Sequence, residues 1–364
     1  MHRRILIYGA TGYTGRLIAE RAGRAGRAPI VAGRTPHLVQ ALAATLGLSA
    51  RVVALDEPVA LDQALADICV VINAASPFAL TARPLIEACL RTRTHYLDIT
   101  GELPVFQDAQ CYDDGARERG IMIMPGVGFG IVASDCLAIH VAALVPNAKY
   151  LRIGLLRPES ISRGTLRAVL GMTNSRVNIR RNGQLISVPV GRLQRAFDYG
   201  DGERESVAVS WADTFTAYYS TGIRNIEAYI EADLVARTLY QVSAGIAETL
   251  RFAPVQHWLS VAAGNWREGP SALQRQSERC VVVAEAEDGW RRRSCARLET
   301  PDGYSFTAEA ATAIARRVTR GDFRPGFQTP GKVYGANFVL GLAGSRREDL
   351  ERPTPRMPSD DIRV

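Results

Sequence analysis

The stretch that most constrains this chain is Ile5-Leu6-Ile7-Tyr8-Gly9-Ala10-Thr11-Gly12-Tyr13-Thr14-Gly15. The apolar run Ile5–Ile7 reads as a strand buried on both faces, as in a parallel sheet. It breaks at Gly9, and helical periodicity (Leu17, Ile18, Arg21, Ala22) begins near Thr14. The three glycines have separate tasks. Gly9 lets the chain turn sharply off the strand. Gly12 lacks a Cβ, so the backbone can approach a pyrophosphate. Gly15 lets the helix lie close to the sheet. The free N–H groups and positive dipole end of that helix suit phosphate oxygens. Strand before and helix after are the context that separates this loop from a glycine-rich turn that binds nothing. Its candidate cofactor contacts are Gly9, Thr11, Gly12, Tyr13, Thr14 and Gly15.

The end of the next strand selects the cofactor. Ala28–Gly33 is followed by Arg34-Thr35, where NAD sites place Asp or Glu against the ribose 2′-hydroxyl. No acid stands between Glu20 and Asp56. A guanidinium suits a 2′-phosphate, and Thr35 adds a hydroxyl, so the reading is NADP(H) rather than NAD. The competing reading is that Arg34 is a solvated loop residue.

A length of 364 residues allows two domains and a sizeable core. The net charge of +7 is spread along the chain, Lys149 and Lys332 are the only lysines, and no run of five like charges occurs. A nucleic-acid partner is therefore not expected. Six cysteines show no C-x-x-C and no metal-like grouping, which suits buried free thiols in a reducing compartment and no metal. The chain enters a core strand by residue 5, and no apolar run reaches bilayer length. The expectation is a cytoplasmic protein with a small-molecule substrate and no integral membrane segment.

Strand and helix signals then alternate. A helix follows Thr35-Pro36 to Gly47, and Arg51–Leu55 reads as a strand ending at Asp56. Asp56 either bonds the adenine amine or caps the helix after Pro58. Ile68–Ile72 is a strand continuing into Asn73-Ala74-Ala75-Ser76-Pro77, which in a doubly wound sheet lies beside the nicotinamide half of the cofactor. There Asn73 is a candidate ribose ligand. A helix from Thr81 to Arg91 follows, then a strand through His95-Tyr96-Leu97-Asp98 that leads into Thr100 and Glu102. His95 reads as a packed core residue. Asp98 and Glu102 stand where ligands meet strand ends, although Glu102 also fits a helix N-terminal acid. A helix is expected to Arg119, a strand over Ile121–Met124, then Pro125–Gly130 and a helix from Ile131 to Leu144.

After Pro146 the alternation stops. Tyr150–Leu156 is strand-like, Val188–Val209 mixes strand and turn signals, and Asp288-Gly289 marks a hairpin between Cys280–Ala286 and Arg291–Leu298. A helix over about Thr307–Arg320 and a last apolar helix from Thr329-Pro330-Gly331 through Leu342 follow. The fold class expected is α/β: an N-terminal Rossmann doubly wound parallel sheet, a second α+β mixed-sheet domain, and C-terminal helices packing back on the first. The expected divisions are 1–145 for the NADP-binding domain, 146–305 for the substrate and dimerisation domain, 306–345 for the returning helices and 346–364 for a loose tail.

The motifs stand in a recognisable order: Gly9–Gly15, Ala32-Gly33-Arg34, His95–Glu102, and Pro125–Gly130 with Ser134-Asp135. Ser162-Arg163-Gly164-Thr165-Leu166, Trp211-Ala212-Asp213-Thr214, Ser220–Glu227 and Gly326–Gly331 come after them. This order resembles the saccharopine dehydrogenase-like oxidoreductases, especially the trans-acting enoyl reductase branch, over roughly residues 4–345. The resemblance implies an NADP-binding Rossmann domain, a mixed-sheet substrate domain and a homodimer. Arg163 departs from the branch, which has Gly there; it either favours an anionic substrate group or pairs with Glu159. Candidate substrate contacts are Phe129, Arg163, Thr165 and Arg224. Apolar residues after Asp233 (Leu234, Leu239, Val242) and Trp258 through Trp266 either line a substrate cavity or pack the core.

The reaction stays open between reduction of a C=C bond and reduction of a C=N bond; binding of NADP(H) without turnover is a reading of another class. No tyrosine has a lysine four residues on, which excludes the Tyr-x-x-x-Lys mechanism. Strand-end position ranks Asp98, Glu102, Tyr13 and Tyr96 as proton donors, with Tyr96 alternatively a core residue.

Overall fold

The computed structural model describes residues 4–26, 28–156, 162, 176–233, 268–290 and 292–350. The first part of the chain alternates strictly: β1 (Arg4–Tyr8), α1 (Tyr13–Arg24), β2 (Ile30–Gly33), α2 (Pro36–Leu46), β3 (Ser49–Val52), α3 (Pro58–Leu65), β4 (Ile68–Asn73). It continues with α4 (Phe78–Thr92), β5 (His95–Asp98), α5 (Leu103–Gln110), α6 (Asp113–Arg119), β6 (Met122–Met124) and α7 (Phe129–Leu144). The strands pair in parallel in the order β6-β5-β4-β1-β2-β3. Succession runs outward from β1 to β3, then restarts on the other side of β1 at β4. That reversal opens a crevice beyond the carboxyl ends of β1 and β4. Ile5, Leu6, Ile7 and Tyr8 are all buried, as a strand covered on both faces requires.

The second sheet is mixed. Its strands are β7 (Tyr150–Leu155), β8 (Arg176–Arg181), β9 (Gln184–Pro189), β10 (Gln194–Asp198) and β11 (Glu203–Ala208). Next come α8 (Asp213–Thr221), β12 (Asn225–Glu231), α9 (Ala272–Ser277), β13 (Arg279–Glu287) and β14 (Arg293–Pro301). β7 and β12 run parallel, and β13 and β14 form the expected hairpin beside β7. The chain then returns. α10 (Gly303–Val318) is capped by Asp302, whose carboxylate accepts from Tyr304 and Ser305 N–H at 3.0 Å. It packs along α1, where Arg21 pairs with Glu309. β15 (Gly326–Phe327) adds a seventh strand to the first sheet beside β6, followed by α11 (Pro330–Tyr334) and a last strand, β16 (Arg346–Leu350).

Several expected boundaries move. β3 stops at Val52, so Asp56 sits in a turn rather than at a strand end. One helix to Arg119 becomes two, α5 and α6. The last apolar helix does not run to Leu342: α11 ends at Tyr334, because Gly335 takes φ +80, and a separate 3₁₀ turn covers Phe338–Gly341. Residues 346–350 are not a loose tail. They pair antiparallel with β14, and Arg297 bonds Glu348 across that pair at 2.8 Å. An open β14 edge with unpaired N–H and C=O groups supplies the reason. The segments 234–250 and 258–266 lie outside the described residues.

α7 joins the two sheets. It is buried along most of its length, and one apolar core runs from Ile5, Ile7 and Met124 through Val132 and Leu137 to Ile153, Val282 and Leu298. Asp135, fully buried in α7, accepts from Ser220 Oγ of α8 at 2.6 Å and from the Gly331 N–H of α11 at 2.7 Å. Burial pushes this carboxyl up to about 6. At the other end of the core, a Cβ on Gly15 would stand 2.3 Å from the Gly9 carbonyl and 2.9 Å from Ala10 Cα, whereas one on Gly12 would stand at 3.4 Å from the same carbonyl. Backbone cannot yield as a flexible side chain does. Gly15→Ala is therefore expected to cost about 1–3 kcal/mol of stability and Gly12→Ala clearly less, read from denaturant midpoints. Equal midpoints for the two variants would show that α1 does not rest on the loop as described.

Candidate active site

The crevice is built by glycine geometry. Gly9 takes φ +77 and its N–H donates to the Ala32 carbonyl at 2.9 Å, tying the loop to β2. A Cβ on Gly9 would lie 2.6 Å from Ala75 N, so the segment after β4 abuts the loop. The Ala74 N–H donates to the Tyr8 carbonyl at 2.8 Å and holds Ala74–Pro77 beside the end of β1. Thr11 and Gly12 are exposed, Tyr13 and Thr14 half-buried. The first N–H groups of α1 thus open on the crevice. Arg34 is exposed at the end of β2 beside half-buried Thr35, and among the described residues no carboxylate pairs with it. Asp56 is exposed; it does not cap α3, whose N-cap position is Glu57. The glycine cradle, the open helix terminus and the unpaired guanidinium fit a dinucleotide carrying a 2′-phosphate.

The four expected proton donors are all engaged within the protein. Asp98 is fully buried. Its Oδ1 accepts from the N–H groups of Thr100 at 2.9 Å and Gly126 at 2.8 Å, and its Oδ2 accepts from the Tyr96 hydroxyl at 2.9 Å. Burial raises its carboxyl to about 6 and pushes the Tyr96 phenol up as well. Glu102 accepts from the N–H groups of Phe78 and Ala79 at 3.3 Å and so caps α4, a helix other than the one it precedes. Tyr13 donates to the Pro270 carbonyl at 2.5 Å, accepts from Arg275 Nη1 at 2.7 Å and meets Tyr304 edge-on. Its ring lies against Gly269, where a Cβ would come within 2.5 Å.

Asn73 is not positioned as a ribose ligand. Its side chain is buried and donates to Thr81 Oγ1 at 3.0 Å and Tyr96 OH at 3.2 Å, while its Oδ1 accepts from Ala75 N–H at 3.0 Å. His95 is a core residue, as read from the sequence. Its Nδ1 accepts from Met122 N–H at 2.9 Å, and burial holds it neutral, down to about 4.

The cavity lies one step beyond the strand ends, between the first turns of α7 and the second sheet. Phe129 opens α7, two residues earlier than expected, with its N–H donated to Thr307 Oγ1 of α10 at 3.0 Å. Trp211 crosses from one unit to the other: a Cβ on Gly101 or on Gly130 would lie 3.6 Å from its Nε1. Ile153, Leu155 and Val282 supply apolar walls from β7 and β13. The described residues leave about 20 Å³, room for one water-sized group. The polar lining is Ser134, Asp213 and Tyr229; no basic side chain lines the cavity among the described residues.

Asp213, the first residue of α8, is 3% exposed, and its Oδ1 is buried without a hydrogen-bond partner. Burial raises its carboxyl to about 7, and the nearby Asp135 charge adds to the rise. Ser134 has one proton. It points to the carbonyls of Gly130 and Ile131, each at 3.2 Å, or turns to Asp213, which favours the ionised form. Reading the chain assigned Asp213 no role, although it stood inside a quoted motif. An acid at the start of a helix reads as a solvated dipole partner; only the packing of α8 against α7 buries it. Of the expected substrate contacts, Phe129 lines this cavity. Arg224 lies at the opposite end of β12, where Nη2 donates to the Asn182 carbonyl at 2.8 Å. Arg163 and Thr165 lie outside the described residues. No described helix is long and apolar enough to cross a membrane.

A family model described as the saccharopine dehydrogenase NADP binding domain matches residues 5–124, from β1 to the end of β6. A Mycobacterium tuberculosis protein assigned as a trans-acting enoyl reductase is 36% identical, across 95% of this chain and 90% of its own length. A Mycobacterium ulcerans trans-acting enoyl reductase is 32% identical over a shorter stretch, 37% of this chain and 34% of its own. Among solved structures, apo saccharopine dehydrogenase (L-Glu forming) from Saccharomyces cerevisiae superposes with a TM-score of 0.62. That match covers 96% of this chain and 100% of the yeast chain at 13% identity, a likeness of fold. The exposed Arg34 and the matched domain agree on the cofactor, and the full-length likeness extends through the second sheet: this chain belongs to the saccharopine dehydrogenase-like family of NADP-dependent oxidoreductases, in its trans-acting enoyl reductase branch.

Proposed function

We propose that the protein reduces a C=C bond conjugated to the carbonyl of an acyl-chain metabolite, using NADPH. The observation that carries this reading is the cavity lining. Phe129, Trp211, Ile153, Leu155 and Val282 present apolar surface beside the strand ends, and no basic side chain joins them among the described residues. Such a lining suits an uncharged group rather than a carboxylate; at about 20 Å³ it admits one small group of the substrate and not the acyl chain. A saccharopine-type imine carries carboxylates and needs cations at the same place. The names of the relatives point the same way.

Each residue has a distinct part in this reading. Backbone N–H groups of Thr11, Tyr13 and Thr14 face the pyrophosphate at the start of α1; Gly12, whose own N–H donates to the Gly9 carbonyl at 3.1 Å, leaves space for it, and Gly9 and Gly15 shape the approach. Arg34 and Thr35 hold the 2′-phosphate, and exposed Asp56 is within the adenine side of the crevice. Ala74, Ala75, Ser76 and Pro77 flank the nicotinamide half with small side chains. Bound there, NADPH supplies the hydride, and the protein binds, orients, excludes water and provides a proton. Asp98, Tyr96, Asn73 and Glu102 serve by holding the strand ends and α4 in place.

Two outcomes test this. Arg34→Ala should weaken NADPH binding by about 1.5–3 kcal/mol, the range for a hydrogen bond to a charged group, and leave NADH binding within twofold in fluorescence titration. Parallel loss of both nucleotides would remove the 2′-phosphate from Arg34. The second test offers the purified protein α,β-unsaturated acyl thioesters and, separately, preformed imines of amino acids, and follows NADPH absorbance. Consumption with the thioesters is expected. Turnover of the imines alone would replace this reading with a saccharopine-type one.

A further inference from the structure

We propose that Asp213 is the proton donor of the reduction, delivering its carboxyl proton to the carbon of the double bond that does not receive the hydride. The proposal rests on the reductase reading above and adds the residue that completes the chemistry. Reduction of C=C needs two electrons and two hydrogens. The hydride brings both electrons and one hydrogen to the first carbon. At the second carbon a C–H bond forms as the Asp213 O–H bond breaks. The π bond is lost, Asp213 is left as carboxylate, NADPH ends as NADP⁺, and water returns a proton to the carboxylate before the next cycle.

Geometry selects Asp213 by elimination. Asp98 has both oxygens engaged with three donors and does not line the cavity. The Tyr229 hydroxyl, the phenol that lines this space, donates to Glu227 Oε2 at 2.6 Å. Ser134 carries a hydroxyl too weakly acidic to act alone. Asp213 lines the cavity, is buried, and has an oxygen with no hydrogen-bond partner among the described residues. A buried polar atom left unpaired costs stability, so its place here calls for a partner that the described residues do not supply. The groups facing it are Ser134 and Asp135 from α7 and Tyr229 from β12, none of them a cation that would hold a carboxylate. The neutral acid is therefore the resting form up to about pH 7, which is the form a donor requires. Arg180 fixes the helix that carries it, donating from Nε to the Thr214 carbonyl at 2.7 Å.

The experiment compares wild type, Asp213→Asn and Ser134→Ala. Asn is nearly isosteric, and the unpaired Oδ1 means that no bond within the fold is broken there. With an α,β-unsaturated thioester, Asp213→Asn should lower the rate by about 10²–10⁴-fold, the span for general acid catalysis, while NADPH affinity stays within twofold. The wild-type rate should fall as pH rises through about 7, and this limb should be lost in Asp213→Asn. Ser134→Ala should shift the limb to higher pH, because the hydroxyl that favours the carboxylate is gone.

A second arm needs no turnover. In the wild-type minus Asp213→Asn difference spectrum at pH 6, the infrared carbonyl band of a protonated carboxyl should be present, since Asp98 and Asp135, also raised to about 6, are common to both proteins and cancel. Because the folded-state value lies above the unfolded one, the stability due to protonation is complete below about pH 4 and is lost as pH rises through about 7. The melting temperature of wild type should therefore fall relative to Asp213→Asn between pH 5 and 8. An Asp213→Asn enzyme of undiminished rate overturns the proposal and leaves the reductase reading standing. Failure of wild type on every thioester overturns that reading, and an ionised Asp213 at pH 6 overturns the proposal in either case.

Discussion

The crevice depends on one buried carboxylate. Asp98 gathers the N–H groups of Thr100 and Gly126 and the Tyr96 hydroxyl, and Tyr96 in turn receives Asn73. Three strand ends are joined by these bonds: β4 through Asn73, β5 through Tyr96 and Asp98, and the turn after β6 through Gly126. Asn73 carries the chain onward to Ala75 and Thr81, so the small residues beside the glycine loop are held from beneath. In a low-dielectric interior such a network is stable only when every member is satisfied. Each of these side chains is satisfied, so together they tie the strand ends to one another.

α7 carries the consequence across the molecule. It leaves the Gly126 turn, presents Phe129 and Ser134 to the cavity, and buries Asp135 against α8 and α11. The first sheet thus sets the position of the helix, and the helix sets the distance between the crevice and the second sheet. Two acids adjacent in this space behave oppositely. Asp135 has partners on both oxygens and acts as a clasp between helices. Asp213 has an oxygen with none and faces a cavity. The contrast separates structure from chemistry more clearly than residue type or position along the chain.

Much of this was legible in the chain. The glycine spacing, the apolar run before it and the Arg34-Thr35 pair specify a strand, a tight turn, a helix terminus and a cation, because each follows from local sterics or charge. Phe129 was legible as the turn residue where a helix begins, though not as the opening residue of α7 on the cavity. Strand-end position does not say whether a side chain points into the crevice or back into the protein, so the partners of the ranked acids could not be read from the chain. Asp98 and Glu102 are at the right place along their strand and loop, and their oxygens face backbone N–H groups. The expected long helix to Leu342 failed at a glycine with positive φ, and the expected loose tail failed because an open strand edge several dozen residues earlier needed a partner.

By itself the sequence determined the doubly wound sheet, its nucleotide loop and the preference for a 2′-phosphate. These rest on residues close together in the chain, where spacing translates directly into geometry. Only the tertiary structure decided what each acid touches. Burial and hydrogen-bond partners come from residues far apart in the chain: Gly126 for Asp98, Phe78 for Glu102, Gly331 for Asp135 and the facing turn of α7 for Asp213. A carboxyl group has the same formula at all four positions. Its surroundings, assembled by packing, decide whether it holds a turn, caps a helix, joins two elements or faces a cavity with an oxygen unbonded among the described residues.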